Sequence, residues 1–189
     1  MTFPQAVKAS MLLCILFTLS GCASKNSTVA EQRVAVLTMR EQVLSELFAI
    51  KPSVQSQISN AAGYAVFDNA NVNLLIASFG GGYGVVKDNI TSKQTYMKMA
   101  EAGVGFGAGV KDFRAVFVFH NKEVLNRFVE QGWAFGAQAD AAAKAGDKGA
   151  AASGEVTVDN ITIYQLTKSG LALQATVKGT KYWKDDSLN

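Results

Sequence analysis

Apolar and polar positions along this chain fall into three regimes. Met11–Leu19 is an apolar run interrupted by Thr18. From Val29 to Ile50 the apolar residues recur at helical spacing, with Val29, Val36, Val43, Leu47 and Ile50 in a stripe that Leu37, Leu44 and Phe48 widen. From Gly63 onward the period falls to two, which is the spacing of strands.

The helical stretch carries its own punctuation. Thr28 precedes it and Glu31 follows three residues on, the arrangement of a capping box. Lys51-Pro52 ends it, because a residue before proline avoids the α region, and Pro52 suits the first turn of a second helix through Val54 and Ile58. The charges of the long helix (Glu31, Arg33, Arg40, Glu41, Glu46 and Lys51) cancel. Helices that lie on membranes are usually rich in Lys and Arg, so its stripe is read as core-facing.

In the strand regime, Tyr64–Phe67 predicts a strand ending at Asp68-Asn69, and Val72–Phe79 a second one. Gly80-Gly81-Gly82 reads as a bulge or bend before Tyr83–Lys87. Asp-Asn-Ile-Thr occurs at 88–91 and again at 159–162, each as a hairpin turn. Gly103, Gly105, Gly107 and Gly109 alternate with Val104, Phe106, Ala108 and Val110. With Lys111-Asp112 as a two-residue loop, Val110 would face Phe113 and Val104 would face Phe119, putting both apolar rows on one face. Asn121 then caps a helix over Lys122–Gln131, with Gly132 past its end. Trp133–Ala145 suggests a strand turning into an alanine helix, Gly146–Gly154 a loop, and Val156–Leu166 with Leu171–Val177 a closing hairpin. The expected fold is α+β: an antiparallel curved sheet, or small barrel-like β-domain, packed with N-terminal helices and one mid-chain helix.

Candidate chemistry begins at the first apolar run. Lys8 precedes it, it is far short of the ~20 residues of a spanning helix, and it closes on Leu19-Ser20-Gly21-Cys22. That order resembles a bacterial lipobox, in which the cysteine receives acyl chains and becomes the first mature residue. Residues 1–21 are then a lipoprotein signal peptide, 22–28 a lipidated tether, 29–184 the domain and 185–189 a polar tail. More than one acyl chain gives stable anchoring. Ala23 after the cysteine, where Asp is absent, points to the outer membrane and its periplasmic side. Cys14 leaves with the signal and Cys22 is the lipid site, so the domain has no disulfide.

The formal charge of +3 is too small to argue for nucleic acid. His120 is the one histidine, without metal-ligand spacing or a nucleophile elbow, so neither a metal, a cofactor nor a catalytic set is expected. Two features invite a lipid reading. The face of Gly103, Gly105, Gly107 and Gly109 either packs closely on another element or leaves room for an acyl chain. Lys178, Lys181, Trp183 and Lys184, with Tyr182, form a basic-aromatic cluster of the kind that suits a headgroup interface, or simply ends a strand.

An ordered set of segments resembles the SYLF (Ysc84-type, Las17-binding actin-regulator) family: Ala62-Gly63-Tyr64-Ala65-Val66-Phe67, the glycine-rich Phe79–Val85, Gly103–Val110, and Phe117-Val118-Phe119 leading into Asn121–Phe128. Gly136-Ala137-Gln138-Ala139 and Ile163-Tyr164 with Gly170-Leu171 complete it. The resemblance implies a non-enzymatic lipid-binding module. Eukaryotic members bind phosphoinositides and some bind actin; bacterial members are often exported lipoproteins. A bacterial envelope offers no actin, so the expected partner is the phospholipid membrane, reached through lipidated Cys22 and through the domain itself. The alternative is a structural or protein-interaction module of the envelope.

Overall fold

The computed structural model describes residues 27–74, 77–104, 109–135, 155–167, 170–171 and 178–189. Three helices, α1 (Val29–Ile50), α2 (Ser53–Asn60) and α3 (Lys122–Gln131), pack on one antiparallel sheet. Its strands are β1 (Gly63–Leu74), β2 (Ala77–Asp88), β3 (Gln94–Val104), β4 (Gly109–Phe119), β5 (Trp133–Phe135), β6 (Glu155–Val158), β7 (Ile161–Thr167), β8 (Gly170–Leu171) and β9 (Lys178–Lys184). They run in the order β5-β9-β3-β2-β1-β4-β7-β6, with β8 beside β7. This is the α+β arrangement that the periodicity predicts.

The helices form where the local signals place them. Thr28 accepts a hydrogen bond from the Glu31 amide while the Glu31 carboxylate accepts one from Thr28 N, the reciprocal capping box. Asn121 accepts from Val124 N to start α3, and Gly132, at φ 70°, stops it. The apolar stripe of α1 is buried at Val36, Met39, Val43, Leu44 and Leu47. Its predicted ends, Val29 and Ile50, are exposed.

Strand alternation divides the core in two. Val66, Val85, Tyr96, Val116, Val118, Tyr164 and Leu166 face α1 and α2. Ala65, Phe67, Val86, Met97, Met99, Ala115, Phe117 and Phe119 face α3. Each fully buried large apolar side chain contributes roughly 1.5–3 kcal/mol. Ion pairs fasten the layers: Glu46 of α1 with Arg114 of β4, Lys51 at the end of α1 with Glu155 of β6, and Lys122 of α3 with Asp88 of β2. The Tyr164 hydroxyl donates to Gln57 Oε1 at 2.6 Å; burial and the Glu155 charge push its ionisation up to about 12 and keep it a donor.

The α3 face is concave. The Trp133 ring on β5 lies 5.7 Å from that of Phe117 on β4, and Tyr182 on β9 lies 5.2 Å from Phe117. In a flat sheet β9 and β4 would stand about 19 Å apart, four strand spacings. The sheet therefore curls until its far strands share one aromatic cluster.

The strand details correct several expectations. Lys111-Asp112 is not a hairpin loop: both residues lie within β4, opposite Asn71 and Ala70 of β1. β3 and β4 are not neighbours, since β2 and β1 separate them, so Val104 does not face Phe119. β1 does not stop at Asp68-Asn69 but continues to Leu74, and the apolar run Val72–Phe79 contains the β1–β2 reversal between Leu74 and Ala77. Gly80–Gly82 is neither bulge nor bend, because the β1–β2 register passes through it without a slip. Asp159-Asn160 does form a two-residue turn, both residues at positive φ, whereas Asp88-Asn89 opens a longer connection to Gln94. The predicted alanine helix and the loop at 146–154 lie outside the described residues.

The adjacent glycines of β2 give a sharp test. A Cβ at Gly82 would collide with the Asp68 carbonyl oxygen, whereas at Gly81 its nearest neighbour would be Met99 O at 3.9 Å. Gly82→Ala is expected to cost about 1–3 kcal/mol and Gly81→Ala to stay within about 0.5 kcal/mol, read by urea unfolding.

Candidate functional site

The basic-aromatic cluster read from the sequence lies on β9, and the strand splits it. Tyr182 points into the concave core and is 3 % exposed. Burial, followed by the Glu101 charge, raises its pKa, so the phenol stays neutral. Lys181 and Trp183, the alternate residues, are exposed on the convex face. Lys184 pairs with Glu130 of α3 at 2.8 Å. Lys178 is the register partner of Gly103. Lys181 and Trp183 thus share one face of β9, and Tyr182 and Lys184 the other.

What the sheet assembles instead is a row across three strands. Register sets Tyr83 of β2 beside Lys98 of β3, and Lys98 beside Trp183 of β9. All three are exposed, Tyr83 at 42 % and Trp183 at 36 %. The next row out sets Gly81 beside Ala100, and Ala100 beside Lys181, again exposed. The convex sheet beyond α1 thus presents two aromatic rings and two ammonium groups around small residues. Tyr83 and Lys98 were missed in the sequence because only strand pairing brings them to Trp183. Burial raises the Tyr83 pKa, and the Asp68 carboxylate beside it adds to the rise.

Lys98 is anchored from below. Its Nζ lies 2.9 Å from Asp185, which is 5 % exposed. Burial alone would raise the Asp185 pKa, but hydrogen bonds from the Ser187 hydroxyl and amide, with Lys98, outweigh it and hold the carboxyl below its usual range. The last residues are therefore docked. Leu188 is in the α1 core, and the Asn189 amide bonds both the N–H and the C=O of Tyr96.

The concave face carries a different chemistry. Beyond the aromatic cluster, Asn69 (1 % exposed), Glu101 (4 %) and Thr180 (8 %) are buried. Asn69 Nδ2 donates to Glu101 Oε2 at 3.0 Å, while Asn69 Oδ1 is buried without a partner. Gly103 follows Glu101 on the same row of β3, and Gly109 lies on β4 opposite Asn73 of β1. The two glycines are thus on strands separated by β2 and β1; Gly105 and Gly107 lie outside the described residues. A buried carboxylate thus stands on the same row as the described part of the glycine face. His120 Nε2 bonds Thr162 Oγ1 at 2.7 Å, a packing role at a strand end. Among the described residues no group of three or more His, Cys, Asp or Glu could hold a metal ion, and no helix is long and apolar enough to cross a membrane.

Comparison with known proteins agrees with the resemblance read from the segments. Residues 100–189 match the Ysc84 family, described as Las17-binding protein actin regulator. Beta cell expansion factor A of Aeromonas veronii is 37 % identical over 164 residues, covering 85 % of this chain. The chain spans 60 % of that relative's length. Residues 100–189 thus carry a domain of the SYLF, or Ysc84-type, family.

Asp185→Asn is expected to lower stability by about 1.5–3 kcal/mol at neutral pH, because a charge-assisted network in the core is lost. A depressed folded-state pKa gives stability that is present above the usual aspartate range and lost as pH falls through the folded value. The variant's unfolding free energy should accordingly converge on that of the parent as urea titrations move from pH 7 to below pH 3.

Proposed function

We propose that this chain is an envelope-anchored lipoprotein whose SYLF domain binds phospholipid directly and catalyses no reaction. The observation that carries the reading is the convex row of Tyr83, Lys98 and Trp183 with Lys181 beside it. Amphipathic rings favour the headgroup level of a bilayer, and an exposed lysine such as Lys181 extends its ammonium group toward phosphate, while Lys98 is held by Asp185. Two further apolar residues, Val29 and Val34, are exposed on the first turns of α1, at 45 % and 62 %. These turns adjoin the segment that leads to Cys22. Six residues separate Cys22 from Val29, a span of at most about 25 Å, so a lipidated Cys22 would hold the convex face near the membrane on the outer-membrane, periplasm-facing side. In this reading the acyl anchor supplies residence and the domain supplies orientation or lipid preference.

The test is flotation of the chain beginning at Ala23, without the anchor, on vesicles of phosphatidylethanolamine and phosphatidylglycerol. The parent is expected to float, and the double variant Tyr83→Ala with Trp183→Ala to lose most of that binding, with circular dichroism unchanged. A parent that stays at the bottom of the gradient would leave Cys22 as the sole membrane contact. The domain would then be read as a protein-interaction module of the envelope.

A further inference from the structure

Beside the convex row, at the end of β9, the chain folds a second basic feature. A cleft of about 430 Å³ is lined by Arg33 of α1, Lys93 to Tyr96 at the start of β3, Lys184 of β9, and Leu188 with Asn189. Three cations from sequence-distant segments thus face one space whose floor is Tyr96 and Leu188. Arg33 is held in place: its Nε donates to Leu188 O at 2.8 Å, and its guanidinium lies 5.6 Å from the Tyr96 ring centre. Among the described residues the two terminal amino groups of its fork make no hydrogen bond. The Lys93 ammonium makes no ion pair or hydrogen bond among the described residues. Lys184 pairs with Glu130, an exposed carboxylate at the rim whose pKa is lowered first by Lys184 and further by the nearby Lys93.

We propose that this cleft is an anion site for a phosphoryl group. The lining side chains include three cations and no carboxylate, and Glu130 outside the lining pairs with one of them. A planar guanidinium fork with two mobile ammonium groups suits a tetrahedral oxyanion, the fork giving paired hydrogen bonds and the lysines point charges. Gln94, Thr95 and Asn189 line the same space. Glu130 acts as the resident competitor: with the cleft empty it neutralises Lys184, and an incoming phosphoryl group takes that lysine over. This site is separate from the convex row and stands whether or not that row meets a membrane.

The phosphoryl group could be carried by a lipid head or be free in solution, and two probes separate these sources. The full lipidated chain in nonionic-detergent micelles is titrated with inorganic phosphate and, separately, with short-chain phosphatidylglycerol, while backbone amide resonances are followed at constant ionic strength. Shifts at Lys93, Thr95 and Tyr96 with phosphate alone assign a free or monoester ligand; shifts with the phosphodiester lipid as well assign a headgroup. Lys93→Glu, at an exposed and unpaired position, is expected to weaken binding about tenfold, whereas Arg127→Glu, the same charge change on the exposed side of α3, leaves it unaltered. Glu130→Gln is expected to tighten binding about threefold, a gain that loss of folding cannot imitate. Absence of saturable shifts with either probe, or equal weakening by Lys93→Glu and Arg127→Glu, overturns the site. Flotation driven by Tyr83 and Trp183 would survive either failure, so the two readings fall separately.

Discussion

The seating of Tyr182 against Phe67 and Phe117 is the constraint on which the rest of this structure depends. Tyr182 lies on β9 and its two partners on β1 and β4, with ring centres 4.7 and 5.2 Å apart. Those distances exist only because the sheet curls. Each ring pair adds roughly 0.5–1.5 kcal/mol beyond the area it buries, and Phe128 of α3 closes the same cluster from above. The curl in turn needs close approach of β2 to β1. Gly82 and Gly84 provide it, one against the Asp68 carbonyl and the other under the Phe67 ring. Once Tyr182 is fixed inward, alternation leaves Lys181 and Trp183 no choice but the convex face. The residues offered to solvent are thus placed by a contact made on the opposite side of the strand.

The cluster is bounded by a polar rung. Asn69, Glu101 and Thr180 are buried where the next inward positions would otherwise extend the aromatic core. A buried carboxylate is costly without hydrogen bonds, and the Asn69 amide supplies one. The concave face therefore changes from apolar to polar within one rung. The α1 face differs: its core from Val36 to Leu47 is apolar, and ion pairs at Glu46 and Lys51 lie at its margins. Burying polarity inside the curl and keeping it at the rim elsewhere divides the domain into a plain packing side and a chemically varied one.

Helices were legible in the sequence because their signals are local. Thr28 with Glu31, Pro52, Asn121 and Gly132 each act within four residues of the boundary they set, and α1 and α3 begin and end where those residues place them. Strand pairing is not local. The apparent hairpin around Lys111-Asp112 satisfied every side-chain alternation, yet β4 pairs with β1 and β7, and Phe117 meets Phe128, Trp133 and Tyr182 instead. Alternation fixes which face a residue takes and says nothing about which strand lies beside it. The reversal inside Val72–Phe79 was hidden for the opposite reason: no glycine, proline or polar pair marks the point where Leu74 meets Ala77.

The same distinction governs the sites. Lys181, Trp183 and Lys184 stand out in the sequence because they fall within four residues, and period two then sends them to different places. Tyr83, Lys98, Arg33 and Lys93 carry no local signal; β-sheet register and the docked end of the chain bring them into position. The Asn189 side chain takes the place of a strand residue against Tyr96, drawing Leu188 into the α1 core and its carbonyl under Arg33. Arg33, bonded to that carbonyl and lying over the Tyr96 ring, thereby ties α1 to the start of β3. A five-residue segment that reads as a polar tail is, in the folded chain, the piece that joins the first helix to the sheet and gives the basic cleft its wall.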